Sequence, residues 1–133
     1  MSKFDALSLD VDRPHRVLLF KPDGTEWCDK DGNRAWIDIV SPDSERNAVA
    51  SREINDRRMA GETLASDADI RARLPYLTVG WYLLDFQGNV LTDTYSLDEA
   101  KDLYGARGRD FLARQVIAEA FNTANFMPAQ PSA

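Results

Sequence analysis

The stretch that most constrains the fold is 78–91, the most apolar and aromatic run of the chain. It is interrupted by Gln87-Gly88-Asn89, and glycine and asparagine tolerate the positive φ angles that tight hairpin turns need. Helical patterns precede and follow the run. We therefore predict a short buried β-hairpin at 81–92, packed between helices.

The pattern of apolar residues in the N-terminal third of the chain predicts a small antiparallel sheet over 15–40. The apolar run at 16–20 indicates a buried strand, and residues 35–40 alternate between an apolar face and a mixed face. Two glycine-containing turns separate these segments, the second of them at 29–33. Residues 25–28 are predicted to form a short strand between the turns.

The hydrophobic period changes to a helical one after the sheet. Ser41 is predicted to cap the first helix, with Pro42 at its first position and Gly61 at its end. Ser66 is predicted to cap a second helix. Pro75 cannot donate a main-chain hydrogen bond, so we expect a kink or a break in the second helix there.

Two further helices are predicted after the hairpin. Ser96 begins a capping box, and Gly105 is predicted to supply a left-handed cap where this short helix ends. Residues 108–122 carry an apolar stripe at helical spacing and form the last helix. The predicted fold class is α+β and mainly helical: a small N-terminal antiparallel β-sheet is followed by about four helices, with a short β-hairpin between the second and the third.

A chain of 133 residues has the usual length of one domain. We predict a single globular domain over 15–126, in which the sheet occupies 15–40 and the helical part with its hairpin occupies 41–126. Residues 1–14 are predicted to be a flexible arm. Residues 127–133 are rich in proline and small residues and are predicted to be a disordered tail.

The composition excludes several classes of partner. A net charge of −6 repels polyphosphates, so general nucleic-acid binding is disfavoured, although a local basic patch is still allowed. No apolar run approaches the roughly 20 residues that cross a bilayer, and the N-terminus lacks a secretory pattern. The single cysteine excludes an internal disulfide and a multi-cysteine zinc site, and it suits a reducing cytosol.

Motifs that would indicate chemistry are weak. His15 is the only histidine and no Gly-x-Ser-x-Gly elbow accompanies it, while Cys28 has no neighbouring cation to activate its thiol. Residues 29–33 resemble the start of a calcium loop, but the glycine and the closing glutamate are not at the required spacing, so a hairpin turn is preferred. We predict no enzyme and no catalytic, cofactor or metal site; a small hydrolase or transferase using His15 or Cys28 is the least favoured alternative.

The middle of the chain is rich in arginine. Acidic residues match these arginines, so a balanced, solvated face is one interpretation. The other is a docking surface, because arginine is enriched at protein interfaces, and a tryptophan on the outer face of the sheet would be a credible anchor. The residues predicted to bind a partner are Arg46, Arg52, Arg57, Arg58, Trp36 and Phe126.

The order of several features resembles tail assembly chaperones of long-tailed bacteriophages and prophages. The features are Ser41-Pro42-Asp43-Ser44 opening an arginine-rich helix, Gly80-Trp81 before the hairpin, Ser96 opening a helix that ends at Leu103-Tyr104, Phe111-Leu112, Arg114-Gln115-Val116 and Asn125-Phe126. The resemblance covers residues 14–126, and the order of the features carries it. Pro75 departs from the family, in which this region is expected to be unbroken helix.

The resemblance implies a non-enzymatic, largely helical protein of the host bacterial cytoplasm. Members of the family coat the tape-measure protein before tail-tube subunits polymerise around it, and they leave before the particle is finished. The implied partners are therefore the tape-measure protein and the tail-tube protein, with no nucleic acid and no membrane. A permanent component of the tail or neck is the alternative, and self-association into a homo-oligomer is left open.

Overall fold

The computed structural model describes residues 2–64 and 66–128 and has an α+β fold, as predicted. The strands are β1 (His15–Leu18), β2 (Trp36–Ile39), β3 (Thr78–Leu84) and β4 (Val90–Thr92), and the helices are α1 (Glu45–Met59), α2 (Ser66–Leu77), α3 (Leu97–Gly105) and α4 (Asp110–Ala120). Short 3₁₀ turns lie at Lys3–Leu7 and Thr123–Phe126. Each described helix is too short or too polar to span a bilayer.

The four strands form one antiparallel sheet in the order β1-β2-β3-β4. The prediction of an N-terminal sheet separate from the central hairpin is therefore wrong, because β2 pairs directly with β3. Ile37 lies opposite Trp81 and Asp38 lies opposite Gly80 in this pairing. Joining the segments satisfies main-chain groups of both strands and places their apolar residues on one shared face.

The inner face of the sheet carries the core. Its buried residues include Val17, Ile37 and Trp81, and they belong to one apolar cluster with residues of α2, α3 and α4. α4 packs against β1 and β2, α2 packs against β3, and α1 packs against α2. Alternation along the strands places Arg16 and Trp36 on the opposite, outer face of the sheet.

The N-terminal segment contacts the C-terminal 3₁₀ turn. The backbone N–H of Asp10 donates to the carbonyl of Phe126 at 2.8 Å, and the Arg13 guanidinium donates to the carbonyls of Asn125 and Met127. Phe126 is fully buried in the core. Residues 129–133 of the predicted tail lie outside the described residues.

The first two helices differ from the prediction at their ends. α1 begins at Glu45 rather than just after Ser41, because the Ser41 hydroxyl accepts from the backbone of Asp43 and stabilises a turn instead. α2 does not break at Pro75 but continues to Leu77. The proline lies in the last turn, where the Tyr95 hydroxyl donates to the carbonyl of Pro75 and so satisfies a terminal acceptor from outside the helix.

Two further expectations are corrected. Gly105 has no positive φ and so is not a left-handed cap; α3 instead ends where the Arg71 guanidinium donates to the carbonyls of Tyr104 and Ala106. The predicted strand at 25–28 is reduced to isolated bridges, with Cys28 paired to Arg34. The predicted Ser96 cap is confirmed, since its hydroxyl accepts from the backbone N–H three residues on.

Candidate functional site

Two turns with the same sequence pattern, Asp-x-x-Gly-Asn, lie at 29–33 and 85–89. In each turn one aspartate oxygen accepts hydrogen bonds from the backbone N–H groups two and four residues further on, all at 2.9 Å. The glycine of each turn has a φ of 88°. Both segments are therefore closely similar, internally bonded turns, which confirms the hairpin-turn interpretation of 29–33.

The two turns lie side by side. A Cβ atom on Gly88 would approach the carbonyl oxygen of Cys28 to 3.0 Å, so the second turn packs closely on the start of the first. The indole N–H of Trp27 donates to the carbonyl of Asp85 at 2.7 Å. These contacts fix the orientation of the second turn, and with it the position of Phe86.

Phe86 forms one wall of a groove that we name the aromatic groove, defined by Trp27, Phe86, Leu91, Leu103, Arg107 and Phe111. The Phe86 ring stacks on Trp27 at a centroid distance of 5.3 Å and lies 6.1 Å from the ring of Phe111. The groove has a volume of about 420 Å³. Phe86 is 52% exposed and Leu91 is 66% exposed, so apolar surface at the groove is open to solvent.

Two arginines form the polar rim of the aromatic groove. Arg109 is held in place, because its guanidinium donates to the carbonyl of Asp102 at 2.8 Å. Arg107 is exposed and makes no ion pair within the described part of the chain. The groove therefore combines an apolar floor with a cation that can reach a bound molecule.

One carboxylate, Asp85, lies in the lining of the groove. The backbone N–H of Asn89 is the main cause that lowers the pKa of the Asp85 carboxyl below its ordinary value. The Asn89 side chain donates to the second oxygen of the same carboxylate at 3.1 Å. Because both oxygens are occupied in stabilising the turn, Asp85 is poorly suited to accept a proton from a substrate.

The structure distributes the predicted partner-binding residues over four environments. Arg46 donates to the carbonyls of Tyr76 and Thr78, so its guanidinium serves the junction of α2 and β3. Phe126 is buried and presents no surface. The remaining three arginines belong to α1. Arg57 pairs with Glu62, and Arg58 pairs with Asp69. Arg52 makes only a long contact with Glu45.

Trp36 lies on the outer face of the sheet, where an anchor was considered credible. The Arg16 guanidinium stacks on its ring at 3.7 Å and also bonds both oxygens of Asp38, at 2.9 and 3.1 Å. Tyr82 is the cross-strand neighbour of Trp36. The Tyr82 hydroxyl donates to Asp29, and this hydrogen bond raises the pKa of Tyr82 to about 12. The polar groups of this face are thus largely paired with one another, unlike the rim of the aromatic groove.

His15 and Cys28 are not brought together at a pocket. The Nε2 atom of His15 lies 3.4 Å from a Glu119 oxygen, and its ring packs edge-on against Phe126. Cys28 is half-buried beside the first turn. Neither residue lines the aromatic groove. No group of three or more His, Cys, Asp or Glu residues placed to hold a metal ion occurs among the described residues.

Sequence reasoning did not single out Phe86, Leu91 or Phe111 as binding residues. Phe86 lies in the apolar run predicted to form the hairpin, and Phe111 lies in the predicted last helix. A usable signal was the phenylalanine at the second position of an Asp-x-x-Gly-Asn turn, a position that makes none of the side-chain hydrogen bonds stabilising the turn. The corresponding residue of the first turn is Lys30, which is exposed.

Comparison of the chain with protein-family models, with curated proteins and with solved structures finds no match in any of the three.

Proposed function

We propose that this protein is a tail assembly chaperone of a long-tailed bacteriophage or prophage. It acts in the host bacterial cytoplasm without catalysing a reaction, and it holds a helical segment of the tape-measure protein in the aromatic groove until tail-tube subunits assemble. The observation that carries the proposal is the exposed apolar surface of Phe86 and Leu91 beside a groove that no described segment covers. Apolar surface of this kind typically marks a protein-binding site.

The chemistry of the groove fits an amphipathic helix. Such a helix presents apolar residues at positions i, i+3, i+4 and i+7, and these enter an apolar groove while polar residues face the rim. Phe86 and Phe111 provide rigid aromatic walls, and Leu91 and Leu103 provide an aliphatic surface. Arg107 can bond an acidic side chain or a terminal carbonyl of the bound helix.

Co-expression tests this proposal. The wild-type chain is expressed together with the tape-measure protein of the same phage or prophage, and we expect a soluble complex that survives size-exclusion chromatography. Leu91→Glu should abolish the complex, because it places a charge in the apolar contact. Leu18→Glu is the matched control, since Leu18 is also an exposed leucine of the sheet, but it lies on the outer face.

Three results would contradict the proposal. The first is that the tape-measure protein stays insoluble or unbound with the wild-type chain. The second is that Leu91→Glu binds like wild type, and the third is that Leu18→Glu alone abolishes the complex. Mass spectrometry of purified particles tests the departure step separately. Stoichiometric copies in finished particles would exclude a chaperone that leaves and would favour a permanent tail or neck component.

A further inference from the structure

A second hollow adjoins the aromatic groove. It lies between α1, α2 and α3, has a volume of about 570 Å³, and is lined by four cations and one carboxylate. We name it the basic cleft and define it by Arg57, Arg71, Lys101, Arg107, Glu53 and Tyr76. Its excess of positive charge contrasts with the net charge of −6 of the whole chain. Arg107 lines both the cleft and the groove, so the two hollows meet at this side chain.

Two of the cleft cations are committed to the fold. Arg71 donates to the carbonyls at the end of α3 and pairs with Asp110 at 3.2 Å, and Arg57 pairs with Glu62 at 2.6 Å. The other two cations, Lys101 and Arg107, make no such contacts with the described residues of the fold. Lys101 and Arg107 are exposed, and neither has a carboxylate within 4.0 Å in the described part of the chain.

The surroundings of these two cations favour a protein ligand. The Lys101 ammonium lies 5.6 Å from the centre of the Tyr76 ring, and Ile54 and Pro75 add apolar wall to the cleft. A carboxylate entering here would form charge-assisted hydrogen bonds while the adjoining aliphatic parts of its side chain contact apolar surface. A polyphosphate gains less from the apolar wall and is repelled by the negative charge of the rest of the chain.

We propose that Lys101 and Arg107 bind aspartate or glutamate side chains of the same segment whose apolar face fills the aromatic groove. This inference rests on the proposed function and specifies the partner: an amphipathic helix with an acidic flank next to its apolar stripe. Arg107, at the junction of the two hollows, contacts the first acidic residue of the flank, and Lys101 contacts one further along. The acidic flank fixes which way the helix lies in the groove.

Fluorescence anisotropy with three labelled helical peptides tests the inference. The peptides are about 20 residues long, a length that spans roughly 30 Å as a helix, and share one leucine stripe. Their flanks carry glutamate, glutamine or lysine. Wild type should bind the glutamate peptide about tenfold more tightly than the glutamine peptide, and the lysine peptide most weakly. The preference should weaken as the salt concentration rises.

Charge reversal supplies the second arm of the experiment. The double variant Lys101→Glu/Arg107→Glu should prefer the lysine peptide over the glutamate peptide, which reverses the order expected for wild type. Arg114→Glu is the control, because Arg114 is an exposed arginine that lines neither hollow. Circular dichroism establishes that each variant folds, and Lys101→Gln/Arg107→Gln gives a milder version of the same test.

Each outcome separates the inference from the proposed function. Equal binding of all three peptides by wild type, or an unchanged preference in the double variant, overturns the acidic-flank inference and leaves the groove proposal standing. Failure of wild type to bind any of the peptides counts against the groove itself. Tighter binding of a labelled single-stranded oligonucleotide than of the glutamate peptide would overturn the inference in favour of a nucleic-acid site.

Discussion

The two Asp-x-x-Gly-Asn turns differ in their second and third residues while keeping the same hydrogen bonds. The turn at 29–33 carries Lys30 and Asp31, whereas the turn at 85–89 carries Phe86 and Gln87. Donor–acceptor distances agree within 0.1 Å for each corresponding bond. The first turn shows that charged residues at these positions satisfy the geometry, so the turn itself does not require a phenylalanine.

The comparison distinguishes the residues that stabilise the turn from the residue that lines the groove. Aspartate, glycine and asparagine stabilise both turns by the same bonds. Phe86 leaves half of its side chain exposed, while Lys30 extends an ordinary solvated charge. A large exposed aromatic ring at a position that tolerates lysine is better explained by binding than by stability.

The largest expected effect concerns the glycines of the two turns. Gly32→Ala should lower the free energy of unfolding by about 1 kcal/mol, because alanine is strained at a positive φ but meets no atom within 4 Å. Gly88→Ala should lower it by about 3 kcal/mol, because the added methyl also lies 3.0 Å from a carbonyl oxygen of the other turn. Urea denaturation of both variants measures the difference. Equal destabilisation would mean that the close contact between the turns is absent in solution.

The second prediction concerns a variant in which both turns carry lysine at their second position. Phe86→Lys, which copies Lys30, should weaken binding of the glutamate-flanked peptide by about 30-fold, since exposed aromatic anchors typically contribute about 2 kcal/mol to binding. Stability should fall by only about 1 kcal/mol through loss of stacking on Trp27. Anisotropy and urea denaturation measure the two quantities. A stability loss without a binding loss would assign Phe86 to the fold alone.

A smaller effect is expected on the pH dependence of stability. Hydrogen bonds lower the pKa of Asp29, chiefly from the Tyr82 hydroxyl, and of Asp85, chiefly from the Asn89 backbone. A carboxyl whose pKa is lowered by folding stabilises the protein fully above its unfolded value of about 3.9, and this contribution is lost as the pH falls through the folded value.

The variants Asp29→Asn and Asp85→Asn test this expectation. Each should flatten the decline of the urea midpoint between about pH 5 and pH 3, because the amide does not titrate. Midpoints measured in parallel for wild type and both variants give the comparison. A wild-type midpoint that rises as the pH falls over this range would contradict the sign of the prediction.

The smallest effect is expected for the reciprocal change at the first turn. Lys30→Phe should alter stability by less than about 0.5 kcal/mol and leave peptide affinity unchanged, because Lys30 is exposed and lines no part of the groove. The measurements are the same as for Phe86→Lys. A gain of affinity at Lys30→Phe would show that any aromatic residue on these turns supports binding, and it would remove the specificity claimed for Phe86.

The sequence was informative where the structure depends on neighbouring residues. The turn at 29–33, the alternation of 35–40 and the Ser96 cap follow from local chemistry, and all three were predicted. The beginning of α1 was missed because the serines at 41 and 44 are equally good caps in sequence, and a local hydroxyl bond decided between them.

Features that depend on distant pairing were not accessible to the same reasoning. No local pattern indicates that β2 pairs with β3 across two intervening helices, or that Arg46 bonds carbonyls about 30 residues away. Phe126 was predicted to bind a partner, yet it is buried in the core, and the N-terminal segment bonds its carbonyl. The aromatic groove was missed for the same reason, since three separate segments form it.

Hydrogen–deuterium exchange on the complex with the tape-measure protein tests the central claim most directly. Binding should slow amide exchange in 85–91 and 103–111, which flank the aromatic groove, and leave 16–18 and 36–38 of the outer sheet face unchanged. The Phe86→Lys variant should show no slowing at the groove. Protection confined to the outer sheet face, or none at 85–91 in a complex that demonstrably forms, would contradict the account.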